Sequence, residues 1–437
     1  MSDPAIIARV VTSPLDIDAV VWNALLAQQN HPTPFMRHEY LAALHESGSA
    51  TPTTGWSPHF VMLYEDDALI AACPLYVKNH SYGEYVFDWA WASAYEQHGE
   101  PYYPKAVIAV PFTPVPGARL LARDANARAL LIRTVCQWCE DQEISSVHVL
   151  FASDEDIETC KQAQLMLRHT VQFHWENKAP TARCEAPVPE QRCPELKNSD
   201  QAHDLALSKQ SGTADTHRFA NFDDFLANLT QEKRKKIKQE RRRVADAGVS
   251  FRWARGADIS GSDWDFFSRC YERTYLEHGN PPYLTRDFFS RMAKHMPEAW
   301  LMFIAERDSQ PIASSLIAVS AYEVSASGLK DQKSVAYGRY WGALERVDCL
   351  HFEACYYQPL QWCIEHGVQR FEGGAQGEHK MARALLPVQA TSAHWLAHPA
   401  FADAVQRFLE REGNGIQGYL DHLETRNPFR DVPNNSN

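Results

Sequence analysis

The sequence predicts an α/β (α+β) protein made of one lobe repeated twice. The main observation is a pair of matching stretches. His59–Val77 (HFVMLYEDDALIAACPLYV) and Trp300–Val319 (WLMFIAERDSQPIASSLIAV) each read as an apolar strand, a polar turn and a second apolar strand. Asp66 and Asp308 take the same place in the two turns, and Ile70-Ala71-Ala72 lines up with Ile312-Ala313-Ser314. The order of elements after each hairpin is also shared: strand, helix, strand. Size and composition agree. A chain of 437 residues holds two or three domains, and 45% hydrophobic with 22% charged residues is the balance of a packed globular protein.

In the first half, Lys105–Val110 (KAVIAV) reads as a strand and Gly117–Asp141 as a helix, with Leu131, Val135 and Trp138 on one face. Ser146–Phe151 is a strand, Ser153 and Asp156 have the spacing of a capping box opening the next helix, and Val171–Trp175 (VQFHW) closes the half. In the second half, Ser334–Leu344 is a strand, Leu350–His366 a helix stopped by Gly367, and Val368–Gly374 a strand running into a glycine-rich loop. Between the halves, Glu176–Arg218 has no aromatic residue, and its large aliphatics are Val188, Leu196, Leu205 and Leu207. So little apolar surface cannot offset the entropy of ordering. The expected organisation is therefore an N-terminal lobe over 1–177, a disordered insertion or linker over 178–217, dispensable for stability, and a C-terminal lobe over 218–437. The second lobe begins with Asn221 as an N-cap and a Phe222, Phe225, Leu226, Leu229 stripe. It ends with an amphipathic helix from Pro399 to Leu423.

Several function classes are disfavoured. A net charge of −12 argues against indiscriminate nucleic-acid coating. No apolar run reaches the ~18–20 residues of a membrane span, and the N-terminus lacks the pattern of a secretory signal, so a cytoplasmic location is expected. Cys136 and Cys139 form a lone C-x-x-C inside a helical stretch and read as half-buried thiols; no metal site is expected. One segment departs from the acidic background: Gln231–Arg243 (QEKRKKIKQERRR) carries eight Lys/Arg and two Glu. It is either a solvated helix face or a surface for phosphates, possible partners being a tRNA, a nucleotide or another domain.

Three segments carry candidate chemistry. The loop Phe371–Val388 (FEGGAQGEHKMARALLPV) gathers Glu372, Glu378, His379, Lys380 and Arg383 around Gly373, Gly374 and Gly377, just past the end of a strand. Glycines let a backbone approach a ligand, and α/β sheets usually bind ligands at that end of a strand. Glu372 or His379 would serve as a base, backbone amides near Gly373 would stabilise an oxyanion, and Lys380 and Arg383 would hold phosphate. The segment Ser81–Lys105 holds eight aromatic residues together with Glu96, His98 and Lys105. It reads equally as one wall of a substrate cleft, facing the glycine loop, or as a core strand pair with a wet rim. Pro111–Leu121 (PFTPVPGARLL) enters a helix, where Gly117, backbone amides and Arg119 could cradle an anion; the alternative is a Pro-stiffened turn.

With these segments in view, the sequence closely resembles the FemAB-like family of peptidoglycan biosynthesis/recognition proteins, within the GNAT acyltransferase superfamily. The motifs that carry the resemblance are SYGEYVFDWAWASAYEQHG, YYPK with VPFTPVPGARLL, FHWEN, FDDFLANLTQEKRKKIKQERRRV, YGRYWGALERVDCLHFEACYYQ and EGGAQGEHKMAR. The resemblance implies two tandem GNAT-like lobes, each a mixed sheet flanked by helices, and transfer of an acyl or aminoacyl group to an amine. Acyl-CoA or aminoacyl-tRNA would be the donor substrate, with no further cofactor, and a peptidoglycan precursor a possible acceptor. Glu372 and Lys380 match an acidic residue and a lysine of the Fem ligases, although Glu stands where Asp is usual. The second half also lacks the Q/R-x-x-G-x-G/A loop that grips acetyl-CoA. Within the shared motifs, Tyr102, Arg339, Tyr340, Trp341 and Gln376 join the candidate substrate-binding residues. The rival expectation is a non-catalytic protein that binds a cell-wall precursor or another anionic ligand.

Overall fold

The computed structural model describes residues 5–179, 218–320, 334–375 and 377–430; the expected linker lies almost wholly outside them, as does Gln376. The first half supplies β1 (Ile6–Val11), β2 (Ser57–Glu65), β3 (Ala68–Lys78), β4 (Lys105–Ile108), β5 (Leu121–Ala122), β6 (Ser146–Ala152) and β7 (Met166–Glu176). The second supplies β8 (Val249–Arg255), β9 (Trp300–Arg307), β10 (Gln310–Val319), β11 (Val335–Ala343), β12 (Arg370–Ala375) and β13 (Leu386–Leu396). Both hairpins form as read. Their tips, Asp66-Asp67 and Asp308-Ser309, all have φ between 47° and 63°. Left-handed backbone at both central positions is the geometry whose twist matches that of the flanking strands.

All strands join one sheet in the order β1-β2-β3-β4-β6-β13-β7-β12-β11-β10-β9-β8, with β5 added beside β3. The order is the same read from either end once β1 is equated with β8, β2 with β9, and so on to β7 with β13. Each half has a run of antiparallel strands and then one parallel pair, β4 with β6 and β11 with β12, so the lobe is repeated as the sequence predicts. Each half also gives its last strand to the other: β13 pairs with β6, and β7 with β12. The two donated strands meet in an antiparallel ladder whose middle pair is Thr170 with Ala390.

The helices cover both faces. They are α1 (Ala19–Ala27), α2 (His38–Glu46), α3 (Trp89–Gln97), α4 (Ala125–Asp141), α5 (Asp154–Gln162), α6 (Phe222–Ala227), α7 (Gln231–Asp246), α8 (Gly261–Glu277), α9 (Arg286–His295), α10 (Leu350–Phe352), α11 (Gln358–Glu365) and α12 (Pro399–Glu424), with a π turn (Glu353–Tyr357) between α10 and α11. On one face α1, α2, α8 and α9 build a single core that includes Trp22, Phe35 and Tyr40 from the first half and Phe267, Phe288 and Trp300 from the second. Phe35 meets Tyr337, and Tyr40 meets Phe288, each with ring centroids 5.3 Å apart. On the other face each half has its own core: α4 and α5 over Val61, Leu75 and Val147, and α6, α7 and α11 over Phe303, Ala336 and Phe371. Burying a Leu or Phe side chain contributes roughly 1.5–3 kcal/mol, so the shared core holds the halves together far more firmly than surface ion pairs would.

Two readings need correction. The helix expected from Gly117 starts at Ala125, because Asp124 is the N-cap, its carboxylate accepting from the Ala127 amide; Gly117–Leu120 is irregular and leads into β5. Ser81–Lys105 is not a strand pair: Trp89–Gln97 is helical, and Lys105 opens β4.

The donated strands make a prediction. Residues 1–177 and 218–437, expressed separately, should each lack a cooperative thermal transition, and mixing them should restore one. Cooperative unfolding with a native near-UV circular dichroism signal from residues 1–177 alone would refute the interdependence.

Candidate active site

Strands β11 and β12 run in parallel only from Val335–Tyr337 against Arg370–Glu372. Beyond Tyr337, β11 stays beside β10, while β12 bends toward β7 through a bulge between Glu372 and Ala375. The parting strands leave a wedge that opens into a cavity of about 130 Å³ lined by residues including Ile317, Trp341, His351, Cys355, Tyr356, Phe371 and Gly373.

The equivalent wedge between β4 and β6 is plugged. Gly117 bridges to Ala152, and its amide donates to the Phe151 carbonyl at 3.1 Å. Arg119 is 1% exposed and donates to the carbonyls of Leu150 (3.0 Å) and Val115. Asp156 does not close a reciprocal capping box; it accepts from the Arg119 and Leu120 amides at 2.6 and 3.2 Å. The anion cradle expected at Gly117 and Arg119 is thus a sealed structural turn, and the second half holds the open wedge.

The π turn roofs this wedge. Pro359 has no N–H to give, so carbonyls one turn earlier lose a helical partner. Ser315 Oγ fills one vacancy by donating to the Ala354 carbonyl at 2.6 Å. The turn carries Cys355 and Tyr356 to the cavity. Burial pushes the Cys355 thiol well above its ordinary range, which disfavours a thiolate nucleophile. Burial also pushes His351 down to about 4, with His379, Arg383 and Lys380 adding repulsion, so its imidazole is neutral.

The glycine-rich loop is fastened from within. Lys380 is buried, and its Nζ donates to the carbonyls of Gly373 (2.7 Å), Ala375 (2.8 Å) and Gly374 (3.3 Å). A Cβ on Gly373 would sit 2.3 Å from the Leu385 side chain and 3.0 Å from the Phe173 carbonyl, so the chain passes there only as glycine. Arg383 is also buried. It donates to Glu240 of α7 at 2.7 Å and to the His379 carbonyl at 2.6 Å, and its guanidinium lies 3.5 Å from the Phe352 ring centre. Lys380 and Arg383 are therefore fasteners rather than the expected phosphate clamps. His379 is exposed; its Nε2 lies 3.3 Å from the Tyr356 hydroxyl. It borders a second cavity of about 430 Å³ with Lys233, Lys236 and Arg426.

Glu372 lies on the opposite face of the sheet from Phe371. Its ladder partners Tyr337 and His174 share that face. The side chain is 3% exposed. One carboxylate oxygen is 2.7 Å from Arg370, whereas Oε2 has no hydrogen-bond donor and lies 4.0 Å from His174 Nε2. Burial raises the carboxyl to about 7, with Arg370 and then Arg339 opposing the shift. Burial also lowers His174 to about 3, aided by Arg370 and Lys380. The neutral ring shares a hydrogen bond with Gln172 Oε1 at 3.3 Å, and Gln172 donates to the Pro114 carbonyl. Arg339 follows two residues after Tyr337. Both lie against Phe35, and Arg339 also contacts the Tyr340 ring.

The aromatic segment lies elsewhere. Glu96 on α3 and His98 at its C-cap are exposed, and the His98 ring packs edge-on against Phe401 of α12; they line neither cavity. Lys105 is fully buried, bonded to Ser81 and Glu84 at 2.7 Å and to Asp88. Tyr102 donates to Asp88 at 2.5 Å and reaches His148, whose Nδ1 is 2.7 Å from His394 Nδ1. Lys105 and Tyr102, expected to touch substrate, thus belong to a closed polar network. His148 and His394 occupy the places that Glu372 and His174 hold in the other half. The missed pair had one signal in the sequence, the His-Trp dipeptide repeated at 174–175 and 394–395. Tyr40, which meets the Tyr340 hydroxyl, and Tyr356, which lines the wedge, carried none, since tertiary packing alone brings them there.

The FemAB-like family model, described as peptidoglycan biosynthesis/recognition, matches residues 13–182 and 194–431, and the chain belongs to that family. No curated protein matches the chain. Among solved structures it is similar to FemX (8% identity, 91% of this chain and 100% of the other, TM-score 0.49). It is likewise similar to L-PGS from Bacillus licheniformis (10%, 90% and 97%, 0.48). A tandem GNAT protein from the clavulanic acid biosynthesis pathway also matches (10%, 90% and 99%, 0.42).

The loop makes a stability prediction. Lys380→Met removes the one donor group that the three loop carbonyls share, and unsatisfied buried polar groups cost about 1–3 kcal/mol. Urea denaturation should show a loss of that order, whereas Lys235→Ala on the exposed face of α7 should stay within about 0.5 kcal/mol. Equal stability of the two variants would show that Lys380 does not fasten the loop.

Proposed function

We propose that this protein is an N-acyltransferase that moves an acyl or aminoacyl group from an activated donor to an amine. The observation that carries the reading is Glu372: a buried carboxylate with one unpaired oxygen, raised to about 7, where two parallel strands part. The donor's acyl arm lies in the 130 Å³ cavity on one face, which has room for a small group. The acceptor arrives from the other face, beside Glu372. The amine nitrogen attacks the acyl carbon, a C–N bond forms, and the C–O or C–S bond to the donor breaks. Glu372 takes the ammonium proton, and the leaving oxygen or sulfur gains one. Backbone amides of β11 past Tyr337, no longer facing a paired strand, polarise the carbonyl. Family membership supports a peptidoglycan precursor as one acceptor. The donor is acyl-CoA or aminoacyl-tRNA. The exposed Lys235, Lys236, Lys238, Arg242 and Arg243 of α7, with the 430 Å³ cavity beside them, suit the phosphates of a tRNA.

The test is a transfer assay with acyl-CoA and with charged tRNA across pH 5–9. The base must be ionised, so kcat/KM should rise with pH, by tenfold per unit below about 7, and level off above it. Glu372→Gln should lower kcat by about 10²–10⁴ and abolish that acid limb. Transfer by Glu372→Gln at the wild-type rate, with an unchanged pH profile, would remove Glu372 from the chemistry.

A further inference from the structure

Glu372 and His174 face each other across the ladder of β12 and β7, and the bulge in that ladder begins only beyond Glu372. The equivalent pair in the other half is His148 on β6 and His394 on β13, also in direct register. There the two rings meet, with their Nδ1 atoms 2.7 Å apart. Side chains at these two positions therefore reach hydrogen-bonding distance across the sheet. In the second half they stop short. His174 Nε2 lies 4.0 Å from Glu372 Oε2, which has no donor, and both side chains are buried.

The His174 proton is engaged elsewhere. Gln172 gives its amide nitrogen to the Pro114 carbonyl at 2.9 Å, so its oxygen is the atom that faces the ring. An amide oxygen only accepts, which puts the ring proton on Nε2. The resulting bond is long, at 3.3 Å. One N–H thus stands between two acceptors, a neutral amide oxygen and a carboxyl oxygen that ionises. Charge-assisted bonds are roughly twice as strong as neutral ones, so the choice between the two follows the proton of Glu372. The other charged groups nearby leave Oε2 open. Arg370 of the same strand holds the other carboxylate oxygen at 2.7 Å. Arg339 of β11 acts on Glu372 through its charge alone. Lys380, whose charge bears on His174, is bonded to its loop carbonyls. Tyr337 of β11 stands level with Glu372.

We propose that His174 is the positioning residue of Glu372, a neutral donor that turns from Gln172 to Oε2 when the carboxylate ionises and turns back when it takes up a proton. The ring keeps its own proton throughout, in keeping with a basicity lowered by burial, and the proton drawn from the acceptor stays on Glu372. The proposal rests on the transferase reading only for the use to which the carboxylate is put.

The test follows the pH at which Glu372 is half ionised, in the full chain, by two routes. One is kcat/KM for transfer from pH 5 to 10; the other is the infrared carboxyl band that wild type shows and Glu372→Gln lacks. His174→Phe keeps a ring and removes the N–H. It should raise the midpoint by about one to two pH units, the worth of one hydrogen bond to a charged group. His174→Gln places an amide N–H near the position of Nε2 and should return the midpoint to within about half a unit of wild type. Gln172→Met removes the competing acceptor and should move the midpoint down. A role limited to packing would lower stability or kcat and move neither midpoint. If the infrared midpoint shifts as expected but no donor yields product, the positioning role stands and the transferase reading falls. If transfer proceeds and neither midpoint moves in His174→Phe, the reverse holds. A folded His174→Phe with the wild-type midpoint, or a midpoint raised as far in His174→Gln, would overturn the proposal.

Discussion

The rest of the molecule depends on the ladder between β7 and β13. Each of these strands completes the other half's sheet, so neither half has a satisfied edge without its counterpart. A buried backbone amide or carbonyl left without a partner is costly, and the ladder meets that need for both sheets at once. It also fixes register. Leu386 lies opposite His174, and His174 opposite Glu372, so one run of pairings sets the glycine loop, the buried histidine and the candidate base relative to one another. A slip of one residue would turn every side chain to the other face and bring Glu372 into the apolar core beneath α11.

Much of this architecture could be read from the chain. The hairpins, the β11 and β12 strands and the amphipathic helices α6, α7 and α12 all leave local signals: alternating apolar residues, Asp in the turns, Asn221 as a cap. The exchange of strands left none. FHW at the end of the first half reads as a strand, but nothing in the residues says which sheet it joins. The candidate site was half legible. Glu372 stood out by its place before the glycines. Lys380 and Arg383 were misread because clustering cannot distinguish a cation that faces a ligand from one that ties down its own loop. That distinction depends on where the carbonyls of Gly373 and Ala375 and the carboxylate of Glu240 come to rest.

The two faces of the wedge differ. On the α11 side, glycines, a neutral histidine and an inert thiol line a small slot. On the α2 side, charge and hydroxyls collect around Glu372 and Arg339. The halves contribute unequally: the second provides the open wedge, and the first provides walls, sealing its own wedge with Arg119. The polar network of Lys105, Glu84, Asp88 and Tyr102 holds the Ser81–Lys105 segment in place.

The mirrored strand order speaks to ancestry. An exchange in which each half gives its last strand to the other is what two identical chains would do across a two-fold axis, the commonest symmetry of closed dimers. Such an ancestor would have carried two equivalent wedges and one residue type at the positions now held by His148 and Glu372. Fusing the two copies into one chain released them from identity. One wedge could then close and become scaffold while the other kept a carboxylate, and a symmetric pair became a single asymmetric one.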